Sequence, residues 1–399
     1  MLLKKPVILG IIVEFNPFHH GHAYFIEQCK SIIKPDLIIA ITTTSFTMRG
    51  EVAIINKFQK VNLMLASKID LVLELPFIMG TQSADYFAYH SIKILNQFNI
   101  THLAFGIEDS DLGKLHELHT IIKTPIFNEM LKSELLKRTS YKRAYDQVLK
   151  DLKVNELLIK LYNQPNATLA LQYLISLEKI NNEIELVPIR RVGSGYHDID
   201  INTNFASAKA IRKRHRNNLN INELLPFSLN EYQFINQIEV EKNLLSLIKY
   251  QLLINKDNVN LFGFTEGIEN YLIKKVNRAD NYKQLIYQLK NKRYSISRFE
   301  RLFTYLLLNI PKDVDLETMY LRVLGFNEKG KSYLKFLPTD TKKKIITSLK
   351  QVDNEIAKIE LKATKLYSIL TNQPLLYLKE YQIPIKERTL NHGKVTRTT

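Results

Sequence analysis

The amino-acid sequence predicts an α/β protein: a Rossmann-like parallel sheet followed by a mainly helical, basic C-terminal domain. Over the first 110 residues, short apolar runs alternate with segments of helical spacing. This order is expected of a parallel sheet with right-handed helical crossovers. Beyond about residue 225 the pattern is helical, without convincing strand alternation or internal repeats. The chain has 399 residues, of which 45% are apolar, and this length predicts two or three domains.

The predicted strands are continuous apolar runs, as in a parallel sheet that helices cover on both faces. They lie at residues 7–13, 36–42, 70–75, 101–106 and 183–189. Helical spacing predicts helices at residues 22–33, 57–69, 83–98 and 168–179, and a further helix from Ser207. The polar segment 109–162 is interpreted as a helical insertion. Residues 1–220 are then one domain and residues 221–399 a second.

Composition excludes several classes of protein. The 13 glycines and 12 prolines are spread along the chain, which excludes collagen-like and low-complexity sequences. The single cysteine, Cys29, cannot form an internal disulfide or a cysteine metal site, and indicates a reducing compartment. No apolar run is long enough for a membrane span, and the run after Lys4 and Lys5 meets Glu14, so it is interpreted as a buried strand. We therefore expect a cytoplasmic protein that is not held in a membrane.

The net charge is divided unevenly between the two halves. Residues 1–200 carry 22 Lys and Arg against 21 Asp and Glu, whereas residues 201–399 carry 34 against 19. Such an excess in one half is typical of a domain that binds a polyanion, with nucleic acid ahead of a membrane surface. The alternative is that the whole chain is rich in lysine for no functional reason. Such a bias would give both halves an excess of positive charge, whereas the first half is nearly balanced.

The strongest motif is GIIVEFNPFHHGH at residues 10–22, where the first strand meets the first helix. Parallel sheets bind ligands at the carboxyl ends of their strands, where helix amino termini offer free N–H groups to phosphates. The spacing of His19 and His22 around Gly21 puts both imidazoles on one side of the first helical turn, suitably placed to donate hydrogen bonds to phosphate. An exposed histidine pair and a metal pair are the alternatives. The proline-bounded loop between the strand and the helix favours nucleotide binding over an exposed histidine pair. A metal site is not favoured, because no nearby residues clearly complete a set of metal ligands.

This motif resembles the HxGH signature of the nucleotidyltransferase superfamily, whose members bind ATP and form adenylated intermediates with loss of pyrophosphate. Over nearly its whole length, the chain resembles the tRNA(Met) cytidine acetate ligase family. The matching segments occur in order: EFNPFHHGH (14–22), FTMRGE (46–51), DLVLELP (70–76), QSADYFA (82–88), LAFGIE (103–108), PNATLALQYL (165–174), RRVGSGYHD (190–198), FASAKAIR (205–212), EGIEN (266–270), KRYSISRFERLF (292–303) and LRVLGFNEKGK (321–331).

The resemblance implies a nucleotidyltransferase fold and an ATP-dependent ligase that activates acetate as acetyladenylate. Such an enzyme then acetylates the exocyclic amine of the wobble cytidine in elongator tRNA(Met), forming N-acetylcytidine. The resemblance implies that His19 and His22 are the catalytic residues. Acetate is already deprotonated at neutral pH, so the first step needs no general base. ATP is the implied substrate. Mg²⁺ would accompany it, although the sequence shows no carboxylate cluster for a metal, and no stable protein partner is implied.

The nucleotide-binding positions that the resemblance implies lie mainly at the carboxyl ends of predicted strands and at the starts of helices. They are Ile12, Val13, Glu14, Phe15, Asn16, Pro17, Phe18, His19, His20, Gly21, His22, Ala23, Tyr24, Phe25, Gly106, Asn166, Arg191, Ser207 and Arg212. Simpler interpretations exist for some of them. Asn166 could simply cap a helix. Arg191 could be an ordinary surface arginine, and the helix from Ser207 could be an ordinary amphipathic helix that packs on the core. The functional interpretation makes Arg191 and Arg212 partners of phosphate oxygens.

Basic residues of the second half and of its junction with the first are candidates for RNA contact. They are Arg214, Arg216, Lys274, Lys275, Arg293 and Arg298. Contacts to phosphates would make RNA binding depend on salt. The alternative for the basic run from Arg212 to Arg216 is a solvated helix face. The interleaved aromatic residues Tyr271, Tyr294 and Phe299 are interpreted first as core residues and only second as RNA contacts.

The chain also departs from the family pattern. Thr43-Thr44-Ser45-Phe46 stands where the family usually has Ser-Gly-Asn-Phe, and Met48, Ala167 and Arg190 replace Gln, Asp and Lys. Two alternative functions remain open. A small-molecule adenylyltransferase would use the same site but gives no reason for the basic second half. A catalytically weakened RNA- or ribosome-binding protein would bind tRNA with little ATP turnover. The retained HxGH motif favours an active enzyme.

Overall fold

The computed structural model describes residues 5–137, 139–181, 183–191, 205–254, 260–265, 267–291, 293–388 and 390. The strands in these ranges form one mainly parallel sheet. They are β1 (Ile8–Val13), β2 (Leu37–Thr42), β3 (Leu71–Glu74), β4 (His102–Ile107), β5 (Glu185–Arg190), β6 (Leu321–Phe326), β7 (Ile345–Ile346) and β8 (Ile385–Lys386). Across the sheet the order is β5-β4-β1-β2-β3-β6-β7, and β8 pairs with β6.

Strand β1 occupies the middle of the parallel part of the sheet, between β2 and β4. The pairs β2–β3 and β4–β5 are parallel as well. The carboxyl ends of these five strands therefore meet along one edge of the sheet. All five predicted strands are confirmed, with bounds that differ from the prediction by no more than two residues.

Helices connect the strands and make up most of the second half. Before residue 220 they are α1 (His20–Ile33), α2 (Lys57–Ala66), α3 (Phe77–Gly80), α4 (Ala84–Asn96), α5 (Leu112–Ile122), α6 (Pro125–Leu136), α7 (Tyr141–Asp151), α8 (Glu156–Tyr162), α9 (Pro165–Ile180) and α10 (Ala208–Arg216). After it they are α11 (Gln237–Leu253), α12 (Ile268–Asn277), α13 (Tyr282–Leu289), α14 (Ile296–Leu308), α15 (Glu328–Phe336), α16 (Thr339–Lys344) and α17 (Glu355–Leu370). The predicted helices are confirmed, and the segment 109–162 contains α5 to α8. Within the described ranges, no helix combines the length and the apolar character needed to cross a membrane.

The expectation that the second half contains no strand is wrong, because the short strands β7 and β8 lie there, as does the longer strand β6. This strand pairs with β3 of the first half in the antiparallel direction. Arg322 interrupts its short apolar run, which is why the sequence pattern did not indicate a strand. In the structure Arg322 is buried, and its guanidinium forms ion pairs with Glu74 and Glu380. A strand of the second half thus extends the sheet of the first, while the domain boundary near residue 220 stays a prediction.

A buried cluster of charges lies where the two halves of the chain meet. Its members are Lys57, Glu74, Arg322, Glu360 and Glu380. Lys57 Nζ lies 2.9 Å from Glu74 Oε2, 2.8 Å from Glu360 Oε1 and 2.5 Å from Glu380 Oε1. Buried charges are tolerated only when they are paired this closely. The cluster therefore holds α17 of the second half against α2 and β3 of the first.

Candidate active site

A cavity of about 500 Å³ opens at the carboxyl ends of β1, β4 and β5. Its walls are the segment that joins β1 to α1, the loop 47–51, the first residues of α7, α9 and α10, and the end of β5. Open parallel sheets bind ligands at this edge, because the amino termini of the crossover helices point their free N–H groups toward it. The cavity therefore lies where the sequence predicts a nucleotide site.

The two histidines of the HxGH motif are held by the first turn of α1. His19 caps this helix, and its Nδ1 accepts a hydrogen bond from the Gly21 N–H at 3.0 Å. His22 Nδ1 in turn accepts the N–H of His19 at 3.3 Å, and the two rings lie 3.7 Å apart between centroids. Because Nδ1 is the acceptor in each ring, a neutral imidazole carries its proton on Nε2. In this tautomer both Nε2 atoms are hydrogen-bond donors, and the backbone carbonyl of Pro17 is a further hydrogen-bond partner of the His22 ring.

Burial keeps these rings neutral. Desolvation lowers the pKa of His19 to about 3, and the positive charges of Arg191, His20 and Arg212 add to this effect. Desolvation also holds the pKa of His22 well below its usual range, with further contributions from His19 and Arg191. At neutral pH both side chains are therefore uncharged donors, and the positive charge of the site comes from arginine and lysine.

Gly21 is needed for this arrangement because of its close approach to His19. A Cβ atom on Gly21 would lie 2.8 Å from Cε1 and 3.0 Å from Nδ1 of the His19 ring. Any side chain at this position would push the ring out of its capping geometry. A glycine is therefore needed at residue 21 to leave room for the His19 ring that caps the helix, and not to allow an unusual backbone conformation.

Hydrogen bonds to other described residues tie the loop before α1 to its neighbours. Glu14 Oε1 accepts the N–H of Met48 at 2.6 Å, and Asn16 Oδ1 accepts the N–H of Ile54 at 2.7 Å. The carbonyl of Asn16 accepts a hydrogen bond from Arg212 Nη1 at 2.8 Å, and Arg212 Nη2 lies 3.2 Å from Glu51 Oε2. Arg212 on α10 thus joins the HxGH loop to the loop 47–51.

Gly106, Asn166, Arg191 and Ser207 line the same cavity. Gly106 on β4 packs beside Arg191, whose Cγ would lie 3.5 Å from a Cβ at residue 106. Asn166 does not cap α9, because the cap position is Gln164 and Asn166 Nδ2 donates to Glu108 Oε1 at 2.6 Å. The capping interpretation of Asn166 is therefore wrong. Ser207 does cap α10, and it lines the cavity as well.

Most of the predicted ATP-binding residues line this cavity. They are Ile12, Val13, Glu14, Phe15, Asn16, His19, Gly21, His22, Tyr24, Phe25, Gly106, Asn166, Arg191, Ser207 and Arg212. Pro17, Phe18, His20 and Ala23 lie outside the lining. Phe18 is fully buried against Phe15 and Phe227, so it supports the loop from behind. Residues 192–198 of the RRVGSGYHD segment lie outside the described residues.

Charged side chains of the cavity wall are mostly basic. In the described part of the lining, the basic residues are Arg49, Lys142, Arg190, Arg191, Lys209 and Arg212, and the acidic residues are Glu14 and Glu51. Six cations against two carboxylates suit a polyphosphate. Among the described residues, no three His, Cys, Asp or Glu side chains come together as metal ligands.

Sequence interpretation missed Lys142, Tyr173 and Lys209, all of which line the cavity. Lys142 lies on α7 of the insertion, and nothing in the sequence indicates that the insertion reaches the sheet edge. Lys209 follows Ser207 by two residues, so the helix start predicted at Ser207 could have been used to place Lys209 at the cavity. Of the departures from the family pattern, Met48 and Arg190 line the cavity, whereas Ser45 and Ala167 are buried elsewhere.

The predicted RNA-binding residues lie outside the cavity lining. Arg216 Nη2 is paired with Glu241 Oε2 at 2.7 Å, and Arg214 Nε donates to the Asn220 carbonyl at 3.3 Å. The other four lie on or next to α12 and α14. Lys274 is exposed, Lys275 lies over the ring of Tyr271, and Arg293 and Arg298 lie over the ring of Tyr294. Phe299 is buried, which confirms its interpretation as a core residue.

Comparisons with known proteins show the family to which the chain is related. The sequence model of the HIGH Nucleotidyl Transferase family matches residues 7–380. A tRNA(Met) cytidine acetate ligase of Thermoanaerobacter sp. (strain X514) is 34% identical over 384 residues, which cover 91% of this chain and 95% of the relative. A protein of the same name from Thermosipho africanus is 34% identical over 374 residues, with 89% and 88% covered.

Solved structures show the same likeness in three dimensions. The crystal structure of apo Thermotoga maritima TmcAL matches with a TM-score of 0.85 and 27% identity, over 96% of this chain and all of that one. The Thermotoga maritima TmcAL structure bound with alpha-thio ATP matches with a TM-score of 0.81 over the same shares. These matches span nearly the whole chain in both sequence and structure. The chain therefore belongs to the tRNA(Met) cytidine acetate ligase family of HIGH nucleotidyl transferases.

Proposed function

We propose that this protein is an ATP-dependent tRNA acetate ligase. It activates acetate as acetyladenylate and acetylates the exocyclic amine of the wobble cytidine of elongator tRNA(Met), forming N-acetylcytidine in the cytoplasm. The observation that carries the proposal is the pair of neutral histidines, His19 and His22, at the start of α1 inside a cavity lined by cations. The related proteins from Thermoanaerobacter and Thermosipho bear the name of this activity.

In the first step, an oxygen of acetate attacks the α-phosphorus of ATP and pyrophosphate leaves. Charge accumulates on the phosphorus oxygens in the transition state, where the Nε2–H groups of His19 and His22 and the N–H groups of α1 are suited to stabilise it. Arg191 and Arg212 lie near the histidines, since their charges lower the pKa of His19. In this proposal they neutralise the β- and γ-phosphates as the pyrophosphate departs.

A magnesium ion has no evident protein ligands in the described part of the cavity. Mg²⁺ prefers several oxygen ligands in octahedral geometry. The described lining has only two carboxylates, Glu14 and Glu51, and Glu51 is paired with Arg212, so the lining does not supply several oxygen ligands for a cation. In this proposal any Mg²⁺ therefore arrives on the phosphates of ATP as part of the substrate.

In the second step, the cytosine amine attacks the acetyl carbonyl of the mixed anhydride and AMP leaves. Single-stranded loops can place an unstacked base in an enzyme pocket, which suits an anticodon base. The basic second half, with 34 Lys and Arg against 19 Asp and Glu, would hold the rest of the tRNA through its phosphates.

The test follows radiolabelled acetate into total tRNA in the presence and absence of ATP. Wild-type protein is expected to label RNA only with ATP, and His22→Ala is expected to abolish the labelling. His116→Ala is the matched control, because His116 is exposed on α5 and lies outside the cavity lining. Pyrophosphate release without labelled RNA would point to a small-molecule acceptor. Binding of tRNA without pyrophosphate release would point to a protein that has lost catalysis.

A further inference from the structure

Two carboxylates line the described part of the cavity, and of the two only Glu51 is held in an ion pair among the described residues. Glu51 is engaged by Arg212, whose Nη2 lies 3.2 Å from Glu51 Oε2. Glu14 directly follows β1, and its Oε1 is fixed by the Met48 N–H at 2.6 Å. In the described part of the chain, Glu14 Oε2 accepts no hydrogen bond. This oxygen is not fully buried either. This oxygen is therefore open to the cavity.

The second step of the proposed reaction releases a proton that some group must accept. The histidines cannot accept it at the cavity, because each Nδ1 holds a backbone N–H and each Nε2 already carries a proton. The lysines and arginines of the lining are cations. The hydroxyl of Tyr173 is also excluded, since burial raises its pKa far above neutrality and leaves it protonated. Glu51 is ion-paired with Arg212, which stabilises its charged form and makes it a weaker proton acceptor, so Glu14 is the better-suited acceptor in the described lining.

We propose that Glu14 is a catalytic residue of the acyl-transfer step, in which Oε2 takes the proton that the cytosine amine loses. This inference rests on the proposed function. The amine nitrogen forms a bond to the acetyl carbon, and its proton passes to Glu14. The bond from that carbon to the AMP oxygen breaks, AMP leaves with the electron pair, and Glu14 returns the proton to water when the products depart.

The surroundings of Glu14 suit a base rather than a permanently charged carboxylate. Burial raises its pKa, while the Met48 N–H and the charges of Lys60 and Arg49 oppose the shift and Glu51 adds to it. Lys60 on α2 is itself buried, with Nζ 2.8 Å from the Thr43 carbonyl. A carboxylate with a raised pKa is a stronger proton acceptor than one at its usual value.

The experiment separates the two steps in the Glu14→Gln variant. The glutamine amide oxygen can still accept the Met48 N–H, so the loop keeps its anchor. Acetate-dependent exchange of labelled pyrophosphate into ATP reports the first step, and single-turnover acetylation of tRNA reports the second. We expect the acetylation rate to fall at least about a hundredfold, and the exchange rate to fall far less. Glu14→Asp, which keeps a carboxylate, should recover part of the acetylation rate.

A pH profile adds a readout that a purely structural role would not change. In the wild type, the single-turnover acetylation rate should rise with pH through the raised pKa of Glu14, because only the deprotonated form accepts a proton. Glu14→Gln should lose this rising limb. Equal losses in exchange and acetylation, or an unchanged profile, would overturn the inference. Absence of both activities in the wild type would instead contradict the proposed function.

Discussion

The ammonium of Lys57 lies 2.8 Å from Oε1 of Glu360, although 303 residues separate them along the chain. Both side chains are buried, and Glu360 Oε2 accepts the N–H of Phe77 at 2.6 Å. Lys57 is the first residue of α2, which packs beside β3, and Glu360 lies in α17. This contact therefore joins the helical second half of the chain to the sheet that carries the cavity.

Replacement of Lys57 by methionine should strongly destabilise the protein. The change removes the cation that faces Glu74, Glu360 and Glu380 and leaves their charges incompletely compensated in the interior. Loss of one partner from a buried ion pair costs about 3–5 kcal/mol. Urea unfolding measures the change. Lys68→Met is the matched control, because Lys68 is exposed and its pair with Glu387 should contribute less than about 1 kcal/mol.

The cluster also predicts a specific pH dependence of stability. Burial raises the pKa of Glu360 to about 7 from its ordinary 4.5, although the charge of Lys57 opposes the shift. A raised pKa in the folded state stabilises the protein at low pH, and this contribution is lost as pH rises from about 4.5 through about 7. The free energy of unfolding of the wild type, relative to Glu360→Gln, should therefore fall over that range. A difference that stays constant with pH would contradict this assignment, because the other ionisable groups, including Glu74 and Glu380, are present in both proteins.

The parallel strands and the HxGH loop could be predicted because their signals are local. Five apolar runs marked β1 to β5, and the spacing of two histidines around Gly21 marked the start of α1. Strand β6 could not be predicted, because the residues that neutralise Arg322 lie 58 and 248 positions away along the chain. Lys142 was missed for the same kind of reason, since the path of the insertion decides whether its helices reach the cavity.

Replacement of Gly21 by alanine should impair catalysis more than folding. The added Cβ would lie 2.8 Å from the His19 ring, which must move out of its capping position. A displacement of about 1 Å in a catalytic group can cost about a hundredfold in rate, so we expect a loss of that order in pyrophosphate exchange. Thermal unfolding shows whether the fold is kept. An active Gly21→Ala enzyme would mean that the position of the His19 ring is not critical.

Replacement of Lys274 by alanine should weaken tRNA binding without affecting adenylation. Lys274 is exposed on α12 and lies outside the cavity lining, so its proposed role is contact with an RNA phosphate. Loss of one such contact should lower the slope of log affinity against log salt concentration by about one. Arg216→Ala provides the contrast, because Arg216 already pairs with Glu241 and should affect stability before RNA affinity. Filter binding of tRNA at several salt concentrations, together with pyrophosphate exchange, measures both effects. An unchanged salt slope for Lys274→Ala would show that RNA phosphates are held elsewhere on the protein.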